Sequence, residues 1–186
     1  MVSMTSLWLP ILLSAVLAFI VSSVVHMLLT YHRSDLVKLP GEDGIGEALR
    51  KADVPPGDYM IPHAKDMKES QTPEMIKKFE SGPVEILTVY PNGPVAMGKA
   101  LGQWFVYLIL ANVVVAYLAS RTVAADAEYL QIFRVAGTAA FLCFAGAAPI
   151  ATIWRGQKGS TTVKNMFDGL LFALMSAGCF AGFWPH

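Results

Sequence analysis

The chain has 186 residues, 54% of them hydrophobic and 15% charged, with 14 basic side chains balanced by 14 acidic ones. A mean hydropathy of +0.48 is too apolar for an ordinary water-soluble domain and points to a membrane protein. Zero net charge removes the basic surplus that marks a nucleic-acid binder, so no nucleic acid is expected as a partner.

The first apolar run, residues 7–30, carries no Asp, Glu, Lys or Arg and exceeds the roughly 20 helical residues that cross a bilayer core. A signal peptide is the competing reading. It is disfavoured because no basic residue precedes the run, the run is too long for a typical leader, and no A-x-A site follows. An uncleaved helix is expected, with Pro10 in its first turn, where a missing N–H does little harm. Ser14, Ala18, Ser22 and His26 recur every four residues, a row that drifts by only about 40° per step. This small, faintly polar stripe is expected to face other helices, since helices in lipid associate by close approach.

Residues 31–97 form a polar insert with eight Lys or Arg and eleven Asp or Glu. Residues 41–52 read as a short helix with acidic residues early and Arg50 and Lys51 late, which complements the helix dipole. Pro55, Pro56 and Gly57 break it, and residues 58–61 suit an extended stretch. Thr72 as a cap with Pro73 behind it starts a second helix to residue 80, stopped by Gly82. Residues 84–90, VEILTVY, suit a strand. So small an α+β piece buries little surface alone, so support from the membrane or a partner is expected.

Residues 98–186 hold three further spans, about 101–120, 130–154 and 166–184. The fold class is therefore an all-α integral membrane protein of four transmembrane helices, with the α+β insert between helices 1 and 2. Lys99 is placed to snorkel and Trp104 and Tyr107 to sit at the interface. Asn112 is expected to face protein. Arg134, one turn inside the third span, is expected to snorkel or to meet Asp126 or Glu128. Pro149 should kink that span's last turns. Gly98 and Gly102, together with Gly169, Gly178 and Gly182, mark candidate sites of close helix crossing. Cys143 and Cys179 lie in apolar runs without ligand spacing and read as small buried side chains.

Four crossings place the insert and a loop at 155–165 on one side, with both termini on the other. Arg33, Lys38, Lys99, Arg155, Lys158 and Lys164 crowd the first side, against Arg121 and Arg134 on the second. The positive-inside rule then makes the insert cytoplasmic and both termini external, in a bacterial inner membrane. The same threading brings His26, Gln103 and Asp168 to one depth. An ionisable residue inside a span is a functional candidate, so His26 with Asp168 reads as a pair serving a proton, an ion or a head group. The plainer reading is an interhelical hydrogen bond that fixes packing. Haem would need a second axial ligand, and no other histidine lies opposite His26 within a span, so no cofactor or metal is expected. HExxH, CxxC, P-loop and GxSxG motifs are all absent.

The run PPGDYMIP, the later SGPVEILTVYPNGPVAMGK and Trp104 together resemble a family of small bacterial multi-span membrane proteins with no assigned activity. The resemblance covers most of the chain and implies no site residues. The packing features exceed the chemical ones, which favours a non-enzymatic accessory, scaffold or assembly subunit, as a homo-oligomer or within a larger membrane complex. The alternatives are an oligomeric transporter or channel for a small solute or ion, using His26, Asn112 and Asp168, and a membrane enzyme or redox subunit.

Overall fold

Among the described residues, 2–94 and 96–185 of a computed structural model, four helices are long and apolar enough to cross a membrane: Met4–Leu28, Met97–Thr122, Tyr129–Arg155 and Gly159–Gly182. Residues 2–37 and 96–185 form one unit, and residues 38–94 a second.

In the first unit, a 3-10 turn at Met4–Leu7 leads into α1, Trp8–Ser23, which ends in a π-type turn at Val24–Leu28. Ser14, Ala18 and Ser22 of the predicted stripe are all buried, while His26, in the π turn, is exposed. After Leu29 the chain makes a second 3-10 turn, Tyr31–Ser34.

The second unit contains α2 (Glu42–Lys51), β1 (Gly57–Ile61), α3 (Met67–Ser70), α4 (Pro73–Ser81) and β2 (Glu85–Val89). The strands pair antiparallel, with Gly57 opposite Val89 and Ile61 opposite Glu85. Thr72 Oγ1 accepts the Met75 amide at 3.3 Å, the cap that Thr72-Pro73 predicts. The short α3 was not expected from the sequence; the Asp66 carboxylate nucleates it by accepting the Lys68 and Glu69 amides, both at 2.9 Å. Among the described residues of this unit only Met75 is buried.

The chain then returns to the first unit through α5 (Met97–Thr122), α6 (Tyr129–Ala145), α7 (Ala148–Arg155) and α8 (Gly159–Gly182). Helix α8 packs on α6 and α1, and α5 packs on α1 and α6. Alanines line the inside: Ala18, Ala116, Ala119, Ala136, Ala140 and Ala177 are fully buried. Large apolar side chains such as Ile20, Leu110 and Leu142 point outward, the reverse of a water-soluble bundle. Helices α6 and α8 approach most closely at two matched places. A Cβ built on Gly137 of α6 would lie 3.1 Å from Ala177 Cβ, and one on Gly169 of α8 would lie 2.8 Å from Ala145 Cβ.

Within the chain, Gly98, Gly102, Gly178 and Gly182 have nothing within 4 Å of a built Cβ, so of the five predicted packing glycines only Gly169 sits at a close crossing among the described residues. Helix α8 starts at Gly159 rather than near 166, because its polar first turns are occupied by hydrogen bonds to the turn after α1. The connection shrinks to residues 156–158, with Gly156 at φ +66° ending α7 in the left-handed region that glycine tolerates. The loosening expected at Pro149 falls just before it, at Gly146 and Ala147, which divides the third span into α6 and α7 and leaves Pro149 in the first turn of α7, where its ring has no helical carbonyl to meet.

Candidate functional site

Polar side chains converge where the turn after α1 meets the start of α8. On an α-helix, Thr161 and Asp168 are seven residues apart and project within about 20° of each other, with Lys164 about 60° away, so all three share one face. Opposite them, the tight turn Tyr31–Ser34 places Tyr31, His32 and Asp35 on the same side of the chain.

The contacts are dense and charge-assisted. His32 lies between two carboxylates, with Nε2 2.7 Å from Asp168 Oδ2 and Nδ1 2.6 Å from Asp35 Oδ2. Both contacts are satisfied when the ring carries both protons. The Tyr31 hydroxyl donates to Asp168 Oδ1. Lys164 Nζ donates to the Tyr31 carbonyl at 2.6 Å, to Ser34 Oγ at 2.8 Å and to Asp35 Oδ1 at 2.7 Å. Thr161 Oγ1 donates to the same Asp35 oxygen at 3.1 Å. Asp168 is buried and Tyr31, His32, Asp35 and Lys164 are half-buried, so these contacts are less screened than surface ion pairs. The Lys164 hydrogen bond, then that of His32, holds the Asp35 carboxyl at about 2, below its ordinary 3.8. Burial and the bond to Asp168 push the Tyr31 phenol upward, so it stays a neutral donor.

His26 completes the cluster. Its ring centroid lies 4.7 Å from that of His32, and one ligand atom from each of His26, His32 and Asp168 falls within 4.8 Å of the others. His26 also borders an apolar cavity of about 420 Å³ with Ser22, Met27, Met97, Leu101 and Trp104. Trp104 Nε1 donates to Ser22 Oγ at 2.9 Å across the cavity wall.

The sequence-predicted residues are distributed unevenly. His26 and Asp168 are brought together, with His32 beside both. Gln103 is exposed and forms no hydrogen bond among the described residues, which removes it from the cluster. Consecutive helical positions differ by about 100°, and it is the neighbouring Trp104 that turns inward. Asn112 is fully buried; its Nδ2 donates to Leu108 O at 2.9 Å within its own helix, while its Oδ1 has no partner. Arg134 is exposed and pairs with neither Asp126 nor Glu128 among the described residues. The sequence reading missed Tyr31, His32, Asp35, Thr161 and Lys164. For Thr161 and Lys164 a signal was present in T-x-x-K-x-x-x-D, a one-face helical spacing, but reading 155–165 as a loop dissolved that face.

No family model matches the chain, and no curated protein or solved structure matches it.

Proposed function

We propose that the chain is a four-pass protein of a bacterial inner membrane that acts as an accessory or assembly subunit, presenting residues 38–94 at the cytoplasmic surface to a partner. One observation carries this reading: the turn leaving α1 is fastened to α8 by Tyr31, His32, Asp35, Thr161 and Lys164. Such a clamp fixes the point from which the second unit departs. Three further features support it. The bundle has alanine inside and large apolar residues outside, as suits lipid. The glycine positions at 98, 102, 178 and 182 are uncovered, which suits contact with another copy or a larger complex. Only Met75 is buried in the described part of the second unit, which leaves its apolar side chains to be covered by something else.

The test is the assembly state of the protein in nanodiscs, read by native mass spectrometry. An oligomer or a stoichiometric complex is expected, and Gly178→Leu should dissociate it. A lone monomer unaffected by that change would remove the reading. Solute flux in liposomes that vanishes with Asp168→Asn would replace it with transport.

A further inference from the structure

We propose that His26, His32 and Asp168 form a binding site for a divalent first-row transition metal, of which Zn²⁺ is the representative. Two imidazoles and one carboxylate suit such an ion, whereas Mg²⁺ and Ca²⁺ favour oxygen-only shells. Their ligand atoms lie within 4.8 Å of one another. Around a tetrahedral ion with bonds of about 2.0–2.1 Å, ligand atoms sit roughly 3.3 Å apart, so the atoms need only a small further approach to close the site.

Two of the three ligands are already oriented. Asp35 Oδ2 holds His32 Nδ1 at 2.6 Å, which leaves Nε2 as the metal-facing atom. This is the carboxylate–histidine arrangement that fixes ring orientation and raises ligand basicity in metal sites. The Tyr31 hydroxyl holds Asp168 Oδ1, leaving Oδ2 for the ion. Lys164 and Thr161 in turn hold Asp35, and Lys164 is directed away from the ligand atoms onto Oδ1 of that residue. His26 touches the His32 ring but enters no hydrogen bond among the described residues, so it can swing inward without breaking one.

On binding, the His32 Nε2 to Asp168 Oδ2 hydrogen bond is exchanged for two metal bonds, and the proton between them leaves to solvent. Water completes the shell. The ion would join the π turn after α1, the following 3-10 turn and α8. The inference is separate from the assembly role, since a clamp without metal still presents the second unit.

The test uses full-length protein in detergent, free of a polyhistidine tag and stripped with chelator, titrated with ZnCl₂ and with CoCl₂. One ion per chain is expected, with a raised melting temperature and visible Co²⁺ absorption bands of low-coordinate geometry. His26→Ala leaves every clamp hydrogen bond in place; it should fold normally and weaken binding by about tenfold or more. Asp168→Asn, which also disturbs the bonds to Tyr31 and His32, should weaken binding at least as far, and His63→Ala should change nothing. Less than one ion per chain, an affinity indifferent to His26→Ala, or loss of binding in His63→Ala would overturn the proposal.

Discussion

Lys164 serves three acceptors on one turn, and its side chain is only 20% exposed. Lys164→Ala leaves Asp35 with only His32 and Thr161 as partners and should destabilise the protein by about 2 kcal/mol, the scale of hydrogen bonds to charged groups. The measurement is thermal unfolding in detergent, and an unchanged midpoint would mean that water replaces the ammonium at no cost. Asp35 sets a pH dependence with a definite sign. Its carboxyl is held at about 2 against an ordinary 3.8, so its stabilisation is complete above the ordinary value and disappears as pH falls through the folded one. The gap in melting temperature between wild type and Asp35→Asn should therefore be full at pH 5 and close near pH 2. A gap independent of pH would mean that the charge of Asp35 is not what matters. At this scale the sequence pointed to His26 and Asp168 but not to His32, which joins them. Six helical positions put His26 and His32 about 120° apart, and only the end of helical structure after Leu28 lets the chain fold back and bring the rings together.

Elements governed by local chemistry were legible, and elements governed by distant partners were not. Thr72 and Pro73 start α4 through a cap and a fixed φ that need no neighbour, and the β-branched run near residue 86 became β2. The start of α8 depended on acceptors in the turn after α1, more than a hundred residues away, so its threonines and lysine looked like loop. Glycine spacing alone likewise did not reveal which rows meet a neighbour within the chain: Gly169 does, Gly178 does not, and Gly137, in the Ala- and Gly-rich middle of the third span, meets Ala177. A paired substitution separates these cases. Gly169→Ala would push a Cβ to 2.8 Å from Ala145 Cβ, on the adjacent helix, where no flexible side-chain end can yield. It should cost about 1–3 kcal/mol, as overpacking does. Gly178→Ala meets open space within the chain, so in the dissociated monomer it should be neutral or stabilise slightly through better helix propensity. Equal effects in a melting experiment would refute the packing described for α6 and α8.

For the whole molecule, the four candidate spans and the basic side chains near residues 33, 38, 99, 155, 158 and 164 lead to a definite labelling pattern under the proposed topology. Ser81→Cys should react with a membrane-impermeant maleimide in inverted vesicles and not in intact spheroplasts. Cys143 and Cys179, inside apolar helices, should react in neither until the protein is denatured. Labelling of Ser81→Cys from outside would invert the topology. The clamp also bears on biosynthesis. Tyr31 and Asp168 are 137 positions apart, so at 5–20 residues per second roughly 7 to 27 seconds separate their emergence from the ribosome. Through that interval the turn after the first helix lacks every partner that α8 supplies, and a chain truncated before its final helix would keep the local His32–Asp35 pair while losing Thr161, Lys164 and Asp168 from around it, so the turn would no longer be tied to the end of the chain.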